Sequence, residues 1–482
     1  MLFAINRFHL FVLITWQFSI FFASQQIFPI FSNYVPEWQC GDDGPISKNC
    51  TVYSSCNSTL TFPRSQFQSA ALEFGWICGK TAYLASLFSQ IQFAGVLCGT
   101  FSFGAISDVF GRRPVAIVAL SIGVFTNFIT GLAPTWQILL AIRFFVGLSV
   151  GGTLVVVCTF VMEMLLPQQR MALRAFFNWG VARLLMTLIC MVFPEWRASS
   201  IACAITALPA LLIVIFVFPE SPTWLHNKGR LEDMRNAEKY IARFAGVEYV
   251  PVVHKKIEHN KTLCEMLHTG GLHKRLFVLW TMWFVASICG YATDLNSNTI
   301  SGDFFLNQII FSILIAVSKM VLVSVDTLIP AFSRRVLHQG AQSVVCCCFL
   351  VLFFLTMQGY SGIATLIINV TGTIFIEYTW DACYLCAVES METSCRASAT
   401  GTCSLMARVG AIIAPLLTYA NIYWPPSLYL AVVLIGVVNL IISYLFLVET
   451  KNVNLDSVTL TETPMTDETL MLKNDTEKDE RA

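Results

Sequence analysis

Charged side chains inside long apolar stretches are the residues with which this chain could do chemistry. A charge at the centre of a membrane-spanning helix costs about 2.5–3.5 kcal/mol, so each one needs a structural or functional reason. Lys319 and Arg408 lie well inside their stretches, where two fixed cations in a low-dielectric cavity would attract a carboxylate or sulfate. The alternative is that Asp381 neutralises one of them as a buried ion pair. The charged residues of this kind are Arg143, Glu163, Arg183, Lys319, Asp326, Asp381, Glu389 and Arg408.

Arg183 offers a third positive charge, or alternatively has only a packing role. The sequence has no metal-ligand spacing, nucleotide-binding loop or nucleophile motif, and its lone Cys and His residues form no catalytic cluster. We therefore expect no enzyme activity, no metal and no cofactor.

The composition indicates a membrane protein. Of 482 residues, 56% are hydrophobic and only 12% are charged, with a formal net charge of +0. Soluble domains average about 25% charged residues, so much of this surface must face lipid. The net charge of zero argues against a nucleic-acid partner. We predict an all-α polytopic membrane protein.

About twelve apolar runs are long enough to cross a hydrocarbon core about 30 Å thick as helices. A β-barrel is excluded, because barrel strands are short and alternate in hydrophobicity. The predicted spans are 8–31, 81–104, 115–133, 136–165, 172–193, 196–219, 276–295, 305–325, 341–357, 363–387, 398–419 and 428–448.

Basic residues set the predicted orientation. Residues 220–275 are rich in Lys and Arg and contain no spanning run, whereas residues 32–80 contain few basic residues. This pattern predicts two six-helix halves with both termini in the cytosol. The predicted units are a first helix (1–31), an outer loop (32–80), the rest of the first half (81–219), a cytosolic loop (220–275), a second half (276–448) and a cytosolic tail (449–482).

The outer loop carries the marks of an extracellular segment. Its four cysteines, an even number, predict two disulfides whose pairing the sequence leaves open. Two Asn-x-Ser/Thr acceptors predict N-glycans in the same loop. The cysteines are Cys40, Cys50, Cys56 and Cys78, and the acceptors are Asn49 and Asn57.

Residues 104–114, GAISDVFGRRP, fit the pattern G-x-x-x-D-x-x-G-R-R between the second and third predicted helices. We expect Gly104 and Gly111 to permit a tight turn and close helix approach. Asp108 is placed to pair with a nearby arginine and to latch an inner gate. The alternative is plain positive-inside charge. The pattern resembles the signature of the major facilitator superfamily.

Three further motifs narrow the resemblance. Residues 219–225, PESPTWL, followed by Gly229-Arg230, resemble a signature shared by sugar porters and organic-ion transporters. Residues 73–78, EFGWIC, close a large outer loop that sugar porters lack. Residues 389–396, ESMETSCR, and 406–415, MARVGAIIAP, resemble paired motifs of the organic ion transporters of solute carrier family 22. Two departures are Glu392 in place of the family's proline, and a second gate motif, Asp326…Arg334-Arg335, without its glycines.

The resemblance implies a major facilitator fold that carries small organic anions by alternating access, in exchange for a cytosolic dicarboxylate. It also implies a plasma-membrane location and a monomeric transport unit in the lipid bilayer. The implied substrate-binding residues are Lys319, Arg408, Arg183, Trp179, Tyr291, Trp380 and Tyr384. The implied gating residues are Gly104, Asp108, Gly111, Arg112, Arg113, Glu163, Glu220, Arg230, Glu389 and Arg396. Arg143 matches a structural salt-bridge position. Two alternatives stay open: a carrier of organic cations or carnitine-like zwitterions, and a transport-inactive receptor that retains the fold.

Overall fold

The computed structural model describes residues 6–41, 44, 46–48, 50–56, 59–63, 65–164, 177–251, 263–268, 271–300, 302–329, 333–360, 362–391 and 393–447. The helices are α1 (Arg7–Ala23), α2 (Pro29–Ser32), α3 (Cys50–Ser55), α4 (Ala70–Glu73), α5 (Tyr83–Phe110), α6 (Arg112–Thr130), α7 (Trp136–Gly152), α8 (Cys158–Glu163), α9 (Trp179–Val192), α10 (Trp196–Phe216), α11 (Pro222–Asn227), α12 (Leu231–Ala245), α13 (Leu263–His268), α14 (Leu272–Asn296), α15 (Phe304–Leu328), α16 (Arg334–Met357), α17 (Ile363–Glu389), α18 (Thr393–Tyr423) and α19 (Ser427–Phe446). Strands β1 (Gln39–Cys40) and β2 (Leu60–Thr61) form a small antiparallel ladder.

Within these residues, eleven helical segments are long and apolar enough to cross a membrane, and α9 is a shorter apolar helix. The predicted fifth span, 172–193, begins in a part of the chain outside the described residues. The all-α polytopic fold predicted from composition is confirmed.

The first predicted span, 8–31, coincides with a helical segment, Arg7–Ser32, but this segment is broken inside: α1 ends at Ala23, a 3₁₀ turn covers Ser24–Ile27, and α2 begins at Pro29. The predicted end of the second span was wrong. The second span continues beyond Gly104 to Phe110, so Gly104 lies inside α5 and forms no turn. The helix breaks at Gly111, which has a φ of 112°, a value that residues with a side chain rarely adopt.

Glycines hold α5 and α7 in close contact. A Cβ added at Gly95 or Gly99 would collide with the backbone of Phe144 or Leu148 on α7, and one at Gly147 would collide with Gln92 on α5. The glycines are four residues apart on each helix, Gly95 and Gly99 on α5 and Gly147 and Gly151 on α7, and they let the two backbones approach closely, as small residues do in membrane helix pairs. Beyond this contact α7 passes through a π-helical stretch, Thr153–Val157, into α8.

The described residues between 34 and 78, called the disulfide loop here, lie at one end of the bundle. Cys40 bonds to Cys56 and Cys50 to Cys78, which supplies the pairing that the sequence left open. The loop reaches the first half through Gln68 N, which donates to Pro194 O at 2.9 Å. The opposite end, called the arginine end, carries the starts of α6 and α16. The acceptors Asn49 and Asn57 lie outside the described residues, so glycosylation stays a prediction.

Glu73 should stabilise the anchored disulfide loop in a pH-dependent way. Its carboxylate accepts from Trp196 Nε1 at 2.7 Å and pairs with Arg197 Nη2 at 2.5 Å. Burial alone would raise the pKa of Glu73, but these hydrogen bonds and the charge of Arg197 hold the pKa below its ordinary value of 4.5. The stabilisation is therefore complete above about pH 4.5 and is lost as the pH falls through the lowered folded-state pKa.

The test compares melting temperatures of the unaltered protein and of Glu73→Gln from about pH 7 down to about pH 3. We expect the variant to melt lower at neutral pH and the difference to shrink below about pH 4.5. A difference that stays constant over the whole range would contradict this assignment.

The two halves meet at the disulfide-loop end. Gln66 Nε2 donates to Asp303 Oδ2 at 2.6 Å, and Phe304 N donates to Gln66 Oε1 at 2.8 Å. The Tyr34 and Phe304 rings stack with centroids 4.3 Å apart. At the arginine end, Arg112 pairs with Asp108 and Glu163 of its own half, and Arg334 pairs with Asp326 and Glu389 of its own half. The bundle is therefore closed at the loop end.

Candidate functional site

Arg408 lies on α18 at the centre of the bundle, where the halves face each other. Its Nη1 donates to Gln26 Oε1 at 3.0 Å and to Tyr291 OH at 3.5 Å. The residue is only 8% exposed, and its Nε is buried without a hydrogen-bond partner. Arg408 forms no ion pair with any other described residue. The guanidinium is thus buried, and its hydrogen-bond partners among the described residues are neutral oxygens.

Gln26 reaches Arg408 because the first spanning helix breaks beside it. In the 3₁₀ turn Ser24–Ile27 the backbone carbonyls leave the α-helical ladder, and Gln25 O accepts from Gln92 Nε2 at 2.5 Å. Arg143 lies beside this turn, fully buried, with Nη2 2.7 Å from Gln92 Oε1. No ion pair of Arg143 occurs among the described residues, so the expected salt bridge is not found there. Its partners are amide oxygens.

Lys319 forms ion pairs with two carboxylates. Its Nζ lies 2.9 Å from Glu377 Oε2 and 2.8 Å from Asp381 Oδ2. The two acids are four residues apart on α17 and so lie on the same helix face. The three side chains sum to a formal charge of −1. The pairing of Lys319 with Asp381 was considered from the sequence, whereas Glu377 was missed.

Arg183 is also neutralised. Its Nη1 pairs with Asp294 Oδ1 at 2.5 Å, and its Nη2 donates to Gln308 Oε1 at 2.9 Å. All three residues are buried. The ion pair joins α9 of the first half to α14 of the second, and the hydrogen bond to Gln308 joins α9 to α15. The expected third free positive charge is therefore matched by a carboxylate on the facing helix.

The predicted aromatic residues form two groups. Tyr291 belongs to the Arg408 site, where its hydroxyl donates to Gln26 Oε1 at 2.7 Å and its ring lies 4.8 Å from that of Phe93. Trp380 and Tyr384 pack around Trp283 with centroids 5.8 and 4.4 Å away. Trp179 packs against buried apolar clusters formed mainly by residues of the first half.

The gate motif forms a compact charged cluster at the arginine end. Arg112 Nη1 lies 2.7 Å from Asp108 Oδ1, and its Nε lies 3.5 Å from Glu163 Oε1. Glu220 Oε1 accepts from the backbone N–H groups of Arg112 and Arg113 at 3.0 and 3.1 Å, and so caps the start of α6. A side chain at Gly111 would collide with Glu220.

The second half repeats this arrangement with different residues. Arg334, at the start of α16, lies 2.5 Å from Asp326 Oδ1 and 3.1 Å from Glu389 Oε1. Asp326 ends α15 as Asp108 ends α5, and Glu389 ends α17 as Glu163 ends α8. The acid–arginine–acid cluster is therefore present although the glycines of the motif are missing.

Two predicted gating residues lie apart from these clusters. Arg230 pairs with Asp233 on the next helix at 2.8 Å, largely in solvent. Arg396 donates to Val388 O at 2.8 Å and to Met391 O at 3.3 Å, and so caps the end of α17. In the structure Arg230 and Arg396 therefore act on local helix ends.

The family follows from a comparison with known proteins. A family model described as sugar (and other) transporter matches residues 47–460. The chain belongs to this transporter family. The transporter is 37% identical over 94% of both chains to the uncharacterized protein F23F12.3 of Caenorhabditis elegans.

Further relatives of the transporter carry the names that its motifs predicted. It is 26% identical to solute carrier family 22 member 15 of Xenopus tropicalis, over 70% of this chain and 65% of the relative. It is also 26% identical to organic cation/carnitine transporter 4 of Arabidopsis thaliana, over 84% and 80%. The resemblance to solute carrier family 22 is confirmed.

The fold of the transporter is that of a solved major facilitator structure. The inward-open xylose transporter XylE from E. coli superposes with a TM-score of 0.65 at 14% sequence identity, covering 93% of this chain and 98% of that one. The predicted fold is therefore confirmed.

Four site residues of the transporter were missed from the sequence. Glu377 had a usable signal, because it lies four residues before Asp381 in the same span. Gln26 belongs to a polar Ser-Gln-Gln run inside the first apolar stretch, followed by Pro29. Asp294 and Gln308 gave no comparable signal, because their partner Arg183 is more than a hundred residues away.

Proposed function

We propose that this transporter carries small organic anions by alternating access, with Arg408 as the anion-binding residue. The supporting observation is the burial of Arg408 beside Gln26 and Tyr291, both neutral. A buried cation without a counter-charge costs several kcal/mol, so the site favours a ligand that brings a carboxylate or sulfonate. Rings such as Tyr291 and Phe93 would hold the apolar body of the substrate.

The neutralisation of Lys319 and Arg183 supports a single anion-binding point rather than three. A ligand with one carboxylate then suits the cavity better than a polyanion. We further propose exchange against a dicarboxylate, a plasma-membrane location with both termini cytosolic, and a monomeric transport unit. The disulfide loop supports an extracytosolic loop end, because disulfides persist in oxidising compartments.

A zwitterion is the second candidate substrate, and the Lys319 cluster is the observation that favours it. Glu377 and Asp381 outnumber Lys319 and would attract a quaternary ammonium while Arg408 takes a carboxylate. The experiment is uptake of labelled benzoate, carnitine and tetraethylammonium by cells that express the full chain. Benzoate uptake, stimulated by preloaded succinate, is the expected result.

Carnitine uptake without benzoate uptake would favour the zwitterion instead. Uptake of tetraethylammonium alone would contradict the proposal that Arg408 binds the carboxylate of an anion or of a zwitterion. If none of the three is carried and none shifts the melting temperature, the alternative of a transport-inactive receptor that retains the fold is favoured.

Glu377→Gln should strengthen anion binding. The substitution keeps a hydrogen-bond acceptor for Lys319 but removes one negative charge, so the cluster becomes a neutral pair with Asp381. At an effective dielectric constant near 20 we expect a gain on the order of 1 kcal/mol, or about a fivefold lower KM for benzoate.

Tyr378→Phe is the matched control, because it removes the neighbouring hydroxyl that donates to Ser318 O and leaves every charge in place. Its KM should match that of the unaltered protein. An unchanged or higher KM in Glu377→Gln would show that the Lys319 cluster does not repel anions.

A further inference from the structure

The orientation of the Gln26 carboxamide is fixed by its own hydrogen bonds. Its Nε2 donates to Ala23 O at 3.2 Å, which leaves Oε1 directed at Tyr291 OH and Arg408 Nη1. The side chain is 1% exposed. The helix break that presents it is held by Gln92 and Arg143. Gln26 Oε1 is therefore already positioned as a hydrogen-bond acceptor for the buried guanidinium of Arg408.

This hydrogen bond also joins the two halves at their centre. Gln26 belongs to the first half and Arg408 to the second, 382 residues apart in the chain. A carboxamide and a carboxylate have the same shape, but only the carboxylate is charged. A charge-assisted bond to a guanidinium is about twice as strong as a neutral one. A carboxylate in the cavity therefore competes favourably for the position of Gln26 Oε1.

We infer that Gln26 occupies the place of the substrate's carboxylate and is displaced from Arg408 when the anion binds. The inference rests on the proposed function and deepens it, since it names the residue that makes the movement of the halves depend on an anion. Displacement breaks the hydrogen bonds that Gln26 Oε1 accepts from Arg408 and Tyr291, and so weakens the contact between the halves at their centre. A neutral amide analogue of the substrate gains no charge–charge attraction and leaves Gln26 in place.

The first test uses two variants with opposite expected effects on benzoate uptake. Gln26→Ala removes the competing oxygen, so the KM for benzoate should fall about threefold to tenfold. Gln26→Glu places a tethered carboxylate on Arg408, so the KM should rise at least about tenfold. A merely structural role for Gln26 would raise the KM or lower expression in both variants. Gln90→Ala is the matched control, because it removes a different hydrogen bond between the halves, to Ile412 O at 3.3 Å, one turn along α18 from Arg408, and leaves the hydrogen bonds of Arg408 in place.

The second test measures how the Gln26–Arg408 hydrogen bond affects closure of the loop end, first without substrate and then with benzoate. Cysteines introduced at Gln66 and Asp303, whose side chains are in contact, form a cross-link only while the loop end is closed. Mass spectrometry of the linked peptides then reports the closed fraction. Cross-linking should be slower with Gln26→Ala and faster with Gln26→Glu, and benzoate should slow it only when position 26 is glutamine.

The outcomes separate this inference from the proposed function. If Arg408→Gln abolishes benzoate uptake while both Gln26 variants keep the normal KM and cross-linking rate, the inference is overturned and the proposed function stands. If the unaltered protein neither carries benzoate nor changes its cross-linking rate with it, the proposed function fails, and the displacement of Gln26 is overturned with it.

Discussion

Replacement of Arg408 by aspartate will abolish uptake of aryl carboxylates and leave the protein at the cell surface. The substitution removes the buried guanidinium and places a carboxylate beside Gln26 and Tyr291. Hydrogen bonds to charged groups contribute about 1.5–3 kcal/mol each, and the new like charge adds repulsion. We therefore expect uptake to fall by at least about a hundredfold. Uptake of labelled benzoate, normalised to surface biotinylation, measures the effect.

Arg408→Lys is the matched control for this prediction. It keeps the positive charge but loses the planar fork that binds a carboxylate through two hydrogen bonds, so uptake should fall by about tenfold. Normal benzoate uptake in Arg408→Asp would remove Arg408 from the substrate site. Loss of surface protein in that variant, with normal surface levels in Arg408→Lys, would make the role of the arginine structural.

Arg334→Met will destabilise the second half of the transporter. Arg334 is a buried cation held between Asp326 and Glu389, and its loss leaves two carboxylates facing each other at the ends of α15 and α17. Removing one partner from a buried ionic cluster typically costs about 3–5 kcal/mol. The melting temperature of the detergent-solubilised protein should fall clearly.

The neighbouring Arg335→Met is the control. Its guanidinium donates to Tyr444 O at 2.6 Å near the surface, so its loss should cost less than about 1 kcal/mol. Adding Asp326→Asn and Glu389→Gln to Arg334→Met should restore much of the stability, because the unpaired charges are then gone. Equal melting temperatures for Arg334→Met and Arg335→Met would rule out this account of the cluster.

The spans and the first gate were predictable because their signals are local. An apolar run long enough to cross a bilayer defines a helix without knowledge of its neighbours. The cluster around Arg112 follows from a motif in which Asp108 and Arg112 are four residues apart. The even number of cysteines in the outer loop likewise predicted two disulfides, though not which cysteines pair.

The charge balance of the cavity was only partly predictable, because it depends on contacts between distant segments. The sequence offered Asp381 as a partner for Lys319, but it did not show Asp294 as the partner of Arg183, 111 residues away. A single sequence does not show which helix faces align. The helix break at Gln26 was missed for a related reason: hydropathy measures the apolar length of the run, and a short 3₁₀ turn leaves that length unchanged.

The π-helical stretch Thr153–Val157 constrains how this chain can change in evolution. It lies between Gly147 and Gly151, which fit against α5, and Glu163, which reaches the Arg112 cluster. A π turn holds one residue more than an α-helical turn and absorbs it locally, so the helix beyond it keeps its direction. A residue gained or lost elsewhere in the segment would instead rotate everything beyond it by about 100° about the helix axis. Glu163 would then point away from Arg112. Between Gly151 and Glu163, descendants of this sequence can therefore exchange residues or lose the one extra residue of the π turn, whereas any other single gain or loss would disconnect the gate.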